Sequence, residues 1–483
     1  MLFNTFQFLI FLVVVWTLYA ASPGRWSLWV LCLASYYFYM CWNPYYVVLI
    51  LNCVVVNYVA AIVIDRSSSR RARGSALAAS LVLSLGTLFV YKYLDFAIGA
   101  FNDAAEWAGR PSWKAELHRL ALPVGISFFT FQTLSYTIDV FRRRLRAETD
   151  FVRAATFVAF FPQLVAGPIE RASSLLPQIG PKHPVRYENF QAALPLILWG
   201  LFKKVVVADS ISVVVDTAYD APKSYSGPIL ALATFFFAIQ IYCDFSGYSD
   251  IAIGVARLFG IRLMTNFRQP YLARSISDFW QRWHISLTTW FRDYVYIPLG
   301  GNRVGRLRWA GNVLVVFLLS GMWHGANWTF LVWGALHSLY FFGQRFAAPP
   351  IYKVVNALKL HRAPWLLASC EWLLTMALVY VGWIFFRAAS VEQAKDVLKG
   401  LFDASGFRWA DVFRLGLPRF ELAASAVWIG ALFAVDGLLE KRPKWAMTLW
   451  ENSWVRLALH QALVFAIVFF AKLEGVAFIY FQF

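Results

Sequence analysis

The sequence predicts an all-α integral membrane protein that crosses the bilayer many times, and three observations carry that prediction. Of 483 residues, 60% are hydrophobic and 18% aromatic, while only 15% are charged; soluble domains hold fewer apolar and about 25% charged residues. Apolar runs of the ~20 residues that a helix needs to cover ~30 Å of hydrocarbon recur from end to end, and no soluble domain fits between them. The net charge of +17 is gathered in clusters beside those runs. That pattern marks cytoplasmic loops and anionic lipid, with no nucleic acid as partner.

Taken in order, spans are expected near residues 3–20, 27–40, 45–64, 76–93, 122–140, 190–208, 228–243, 310–343, 366–386, 421–438 and 455–473. The first is read as a retained helix, because the first basic residue is Arg25 and no small-residue cleavage pattern closes the run. Arg66, Arg70, Arg71 and Arg73 follow the third span, and Arg142, Arg143, Arg144 and Arg146 the fifth. With these clusters in the cytoplasm, the N terminus faces outward. Asp209, Asp216 and Asp220 stand against one lysine in an outer loop, whereas residues 244–308 hold nine arginines against four aspartates and are read as cytoplasmic. Cys32, Cys41, Cys53, Cys243 and Cys370 occur singly, without metal-ligand or disulfide spacing, and read as small core side chains.

Arg345, Lys353, Lys359 and Arg362 place residues 344–364 on the cytoplasmic side as well, so residues 310–343 must enter the membrane and return. As helix this stretch covers about 50 Å, short for two crossings, so a shallow hairpin is expected. Gly321, Gly325 and Asn327 supply its break, with His324 in it. Irregular backbone at that depth needs protein or a water-filled cavity around it. "FVAFFPQLVAGPIERASSLLPQI" is a second interrupted run, either a re-entrant broken helix or a kinked span.

Residues 274–301, "RSISDFWQRWHISLTTWFRDYVYIPLGG", alternate aromatic and charged residues at a helical period and predict one amphipathic helix on the cytoplasmic interface, capped by Ser275 or Ser277. Trp283 falls on its apolar stripe, Arg282 off it, and His284 at the border. For His284 the alternatives are chemistry or a headgroup-boundary histidine. For His324 they are a functional intramembrane imidazole or a structural one donating to a helix-break carbonyl. His337, thirteen residues further on and roughly 20 Å along a helix, ranks second. His118, His183, His361 and His460 read as loop or surface residues. Asp244, with Ser246, Tyr248 and Asp250, forms a polar cluster that a cytoplasmic helix cap explains as well as chemistry does. No nucleophile elbow, phosphate loop or metal-ligand spacing occurs, so no metal is expected.

At this point "DFWQRWHISLTTWFRDYVYIPLGGNR", "GMWHGANWTFLVWGALHS", "FFPQLVAGPIER" and the terminal "FIYFQF" resemble the membrane-bound O-acyltransferases, in the bacterial branch of alginate O-acetyltransferase. The resemblance covers the whole chain. It implies one polytopic domain over 1–483, with N-terminal spans in 1–150, a catalytic core in 151–345 and C-terminal spans in 346–483. The implied core has about 11–12 transmembrane segments with broken helices and cytoplasmic amphipathic helices.

The resemblance also implies that an acyl group from a cytoplasmic donor passes through a tunnel to a hydroxyl on the far side. His324 matches the catalytic histidine of the family's W-H-G motif. His284 matches the second polar position, Asn or Asp in other relatives, which leaves its role open. Trp323 and Trp328 would exclude water, Asn327 would orient the ring or the carbonyl, and Trp283 and Arg282 would support the tunnel. A histidine whose free pKa lies near 6.5, kept neutral by burial, can take the hydroxyl proton during attack, or can itself accept the acyl group.

The implied donor is acetyl-CoA, with no cofactor permanently bound. The implied partners are a periplasmic transferase of the serine-hydrolase type and, through it, a polysaccharide acceptor such as alginate, at a bacterial inner membrane. The rivals are D-alanyl or peptidoglycan O-acyl transfer, and a transporter or channel without chemistry, against which stands a scarcity of acidic residues inside the spans.

Overall fold

The computed structural model describes residues 1–110, 122–165, 167–357, 359, 362–472 and 478–479. His118, His361 and the last four residues of "FIYFQF" lie outside them. All regular structure among the described residues is helical, without a strand, as a bilayer-spanning chain requires when every backbone N–H must be satisfied within its own segment.

The chain packs as two compact units, residues 1–197 with 251–264, and residues 198–250 with 265–483. The first unit contains α1 (Phe6–Ala21), α2 (Trp26–Met40), α3 (Val47–Arg66), α4 (Arg70–Leu88), α5 (Leu94–Trp107), α6 (Ile126–Phe141), α7 (Phe151–Ala159), α8 (Phe161–Leu164), α9 (Ala172–Ile179) and most of α10 (Tyr187–Leu201). α4 continues through a π-helical turn into α5, so the span expected at 76–93 is part of one rod from Arg70 to Trp107. α6 is buried along nearly its whole length, and its polar side chains are consumed internally. The Asn57 amide on α3 accepts from Ser80 and Thr137 at 2.8 Å each and donates to Ser84 at 2.9 Å. The interrupted run 157–179 is broken into α7, α8 and α9, with Phe161 packed edge-on against Phe11 at 5.2 Å.

The second unit follows with α11 (Asp209–Asp220) and the first part of α12 (Gly227–Leu258), then α13 (Ile276–Arg282), α14 (Ile285–Phe291), α15 (Arg306–His324), α16 (Trp328–Ala357), α17 (Pro364–Arg387) and α18 (Val391–Gly400). α19 (Trp409–Val412), α20 (Arg419–Lys441), α21 (Lys444–Glu451) and α22 (Ser453–Phe470) complete it. Among the described residues, six helical stretches are long and apolar enough to cross a membrane: Pro44–Arg66, Arg70–Trp107, Gly227–Leu258, Pro364–Arg387, Arg419–Lys441 and Ser453–Phe470.

Three sequence expectations are corrected here. The arms of the hairpin are longer than the expected 310–343, because α15 starts at Arg306 and α16 runs 30 residues from Trp328, carried into polar flanks by backbone bonding that hydropathy does not register. The amphipathic stretch 274–301 is two short helices, α13 and α14, followed by a π-helical turn at Arg292–Tyr296. Finally, α12 does not end at residue 243: it continues as a 32-residue helix, so Asp244, Ser246, Tyr248 and Asp250 are interior helical positions and Asp244 caps nothing.

Candidate active site

The break between α13 and α14 builds the first half of the site. Ser275 caps α13, accepting from Asp278 N at 3.0 Å, and the helix ends where Trp283 N reaches Phe279 O. His284 then takes a left-handed conformation, φ 44° and ψ 53°, which a residue with a Cβ adopts only when its surroundings enforce it. The enforcement comes from the loop after α12: Ile285 N donates to Asn266 O and Arg268 N donates to Arg282 O, both at 2.9 Å. Asn266 Oδ1 lies 3.1 Å from His284 Nδ1. The His284 ring is wholly buried, meets the Phe245 ring edge-on at 4.6 Å, and burial pushes its pKa down to about 3. It is neutral at physiological pH.

The second half is the end of α15. His324 is the last residue of that helix, 3% exposed. α15 and α16 approach closely because a Cβ at Gly321 would overlap the Phe330 carbonyl and one at Gly334 the Phe317 carbonyl. Gly325 is extended, and Asn327 Oδ1 caps α16 by accepting from Thr329 N at 3.0 Å. His324 is thereby set in an aromatic shell of Trp323 (5.0 Å between ring centroids), Phe386 (5.1 Å) and Trp333 (5.2 Å). The His284 ring lies 6.4 Å away, and Trp323 touches it as well, at 5.6 Å. Trp283 extends the shell, 4.9 Å from Trp383. Two histidines 40 residues apart in sequence are thus brought to one buried place.

Other residues singled out by sequence take different posts. Trp328, the first residue of α16, is 50% exposed, so half of its surface faces away from the packed interior. The Asn327 amide is committed to its cap and to Ala389 O at 2.9 Å, so it orients helices and not the imidazole. Arg282 forks onto Glu440 with two 2.9 Å bonds and reaches Asp278 at 2.7 Å, clamping α13 to α20. His337 is nearer than a continuous helix would put it: Trp333 touches His324 at 5.2 Å and His337 at 4.8 Å, because the chain reverses at Gly325. The Trp280 indole donates to His337 Nδ1 at 3.3 Å.

One residue, and one set of partnerships around aspartates already named, escaped the sequence reading. Asn266 is a single loop asparagine without a motif of its own. The partnerships form a buried charge cluster: Lys204 Nζ lies 2.8 Å from Asp209 and 2.7 Å from Asp244, all three at most 5% exposed, so Asp209, expected in an outer loop, and Asp244, expected on the cytoplasmic side, share one buried place between helices. Asp244 also accepts from Ile479 N at 2.7 Å, and Phe478 packs on Tyr248 at 4.4 Å and Phe245 at 5.7 Å. The described end of the chain therefore reaches within one ring of His284. Beside it, Lys203 bonds Asp250 at 2.6 Å and Ser246 at 2.9 Å, while Tyr242 donates to Asp436 at 2.9 Å. Acids inside helices are more numerous than expected. The available signal was "FKKVVVAD": a lysine in an apolar run must find a carboxylate. No group of three or more His, Cys, Asp or Glu side chains placed to hold a metal occurs among the described residues.

Fold and site together define a polytopic helical membrane protein with a buried histidine pair. The chain belongs to the membrane-bound O-acyltransferase family, whose profile matches residues 12–381, and it is an O-acyltransferase. It is 36% identical to the probable alginate O-acetylase AlgI of Pseudomonas aeruginosa over 421 residues, 87% of this chain and 78% of the relative. It is 36% identical to the peptidoglycan O-acetyltransferase of Helicobacter pylori over 428 residues, 80% and 76% of the two chains. The teichoic acid D-alanyltransferase of Streptococcus thermophilus is similar at 30% over 231 residues, 45% and 55%.

Proposed function

We propose that this O-acyltransferase transfers an acetyl group from acetyl-CoA, bound from the cytoplasm, towards O-acetylation of an extracytoplasmic polysaccharide, in a bacterial inner membrane. The observation that carries the reading is the buried His284–His324 pair, with rings 6.4 Å apart. A hydroxyl is a poor nucleophile near neutrality, and a neutral imidazole removes its proton as the oxygen attacks the acyl carbon. The new C–O bond forms, the C–S bond breaks, and the proton passes to the departing thiolate, leaving an ester and free CoA. The aromatic shell keeps water from taking the hydroxyl's place.

The relatives named for O-acetyl transfer to alginate and to peptidoglycan, each 36% identical over most of this chain, support acetyl as the group and a glycan as its destination. The arginines of residues 257–308 other than Arg282, which is committed to Glu440 and Asp278, suit the phosphates of CoA. A periplasmic transferase of the serine-hydrolase type completes delivery to the polymer in this reading.

The test uses purified protein in lipid nanodiscs with radiolabelled acetyl-CoA and a soluble glycan acceptor. Wild type releases CoA, and His324→Ala releases it about 100-fold or more slowly, as expected for loss of one of two imidazoles that serve the same proton transfer. Equal release by both would remove the catalytic assignment. Release only with a carrier-protein thioester would replace the donor, and release with neither donor would favour transport.

A further inference from the structure

Asn266 is fully buried, and its side-chain oxygen meets three groups at once. These are the Ser286 backbone N–H at 3.2 Å, the Ser286 hydroxyl at 2.8 Å and His284 Nδ1 at 3.1 Å. Its nitrogen donates to Ser249 Oγ at 3.1 Å. A backbone N–H only donates, so the atom facing it must be the amide oxygen, which removes the usual ambiguity between the two ends of an asparagine. That oxygen only accepts. Ser286 Oγ also lies 3.4 Å from His284 Nδ1, but its proton is engaged by the nearer amide oxygen at 2.8 Å, so the 3.1 Å contact with that acceptor assigns a proton to His284 Nδ1, and in a neutral imidazole the basic lone pair then belongs to Nε2 on the opposite edge of the ring. The backbone supports this arrangement, since Ile285 N donates to Asn266 O at 2.9 Å beside the left-handed turn at His284.

We propose that Asn266 is the positioning residue of His284: it sets the Nδ1–H tautomer and presents Nε2 as a proton-accepting nitrogen for acyl transfer. The proposal rests on the acyl-transfer reading and deepens it by assigning the reacting nitrogen. The hydroxyl proton goes to Nε2 and from there to the departing thiolate, while Asn266 gains and loses nothing. A neutral amide suits this post. A carboxylate would hold the same tautomer, but at the cost of an uncompensated buried charge. Ser286 and Ser249, each bonded to Asn266, keep the amide from rotating.

The experiment compares wild type, Asn266→Leu, Asn266→Asp, His284→Ala and the Asn266→Leu/His284→Ala double variant, as full-length protein in nanodiscs with acetyl-CoA as donor. Asn266→Leu is expected to lower kcat about 10- to 100-fold, the usual effect of losing a group that orients a functional histidine, with KM for acetyl-CoA unchanged. Asn266→Asp keeps the tautomer and restores turnover, and its added negative charge moves the acidic limb of the pH–rate profile to higher pH. The double variant is no slower than His284→Ala. Effects that multiply in the double variant, or an Asn266→Leu enzyme as fast as wild type, would overturn the positioning role. The 15N spectrum of labelled histidine, with His284 assigned by loss of its signals in His284→Gln, provides a readout independent of turnover. A protonated Nδ1 is expected, and a protonated Nε2 would refute the proposal even if acetyl-CoA proved not to be the donor. If the spectrum is as expected while His284→Ala turns over at the wild-type rate, the failure lies with the reading of His284 as a base, and the proposal falls with it.

Discussion

His284 and His324 stand 6.4 Å apart, ring centroid to ring centroid, and Trp323 touches both. Neither position is set by its own helix alone. His284 is held by bonds from the loop at Asn266 to Arg268, and His324 by the close approach of α15 to α16.

Gly321→Ala tests the second of these supports. Its methyl group would overlap the Phe330 carbonyl, a backbone atom that cannot swing aside. Such overpacking typically costs about 1–3 kcal/mol, and the separation of the two helices moves His324 out of its shell. Thermal unfolding should show the loss of stability, and activity should fall further than the lost folded fraction explains. By contrast Gly311→Ala, where a Cβ meets nothing, should leave both unchanged.

The burial of His284, which lies between two short helices outside the six candidate spans, makes stability depend on pH. Its folded pKa of about 3 lies below the 6.5 of the exposed group, so between these values the unfolded chain binds a proton that the folded one refuses. The neutral ring's contribution is complete above pH 6.5 and is lost progressively as pH falls towards 3. At pH 5 the loss amounts to about 2 kcal/mol. His284→Gln should flatten the decline in unfolding midpoint between pH 7 and pH 5, and equal slopes for the two proteins would contradict the burial.

Lys204 bridges Asp209 and Asp244 in their buried cluster. Lys204→Met leaves two carboxylates facing each other away from water, and breaking a buried pair in this way costs about 3–5 kcal/mol. Adding Asp209→Asn and Asp244→Asn should recover most of that loss, because the penalty belongs to the orphaned charges. Unfolding midpoints in detergent decide it. Failure of the triple variant to recover would mean that the charges themselves organise this region.

The sequence made the spans legible because apolar runs report burial in lipid directly, and α1, α2, α3, α17, α20 and α22 lie where those runs lie. His324 was legible for a related reason, as a polar group among glycines and tryptophans. The break at Trp283–His284 was not, because the aromatic stripe continues across it at helical spacing and the bonds that interrupt the helix come from Asn266 and Arg268, 14 or more residues upstream of their partners. The role of Asp244 was hidden in the same way. Its partner Lys204 lies 40 residues earlier, and a short-range pattern offers a helix cap in its place. The half-exposed position of Trp328 was not legible either, because composition cannot tell which face of α16 it occupies.

The most direct test of the histidine pair is a double-mutant cycle on acetyl transfer: wild type, His284→Ala, His324→Ala and both together, assayed as CoA release in nanodiscs. Each single variant should lose about 10²–10⁴ in rate, and the double variant should be little slower than the worse single, since groups that serve one step do not add independently. A fully multiplicative loss, or wild-type turnover by either single variant, would contradict the claim that the two buried rings act together.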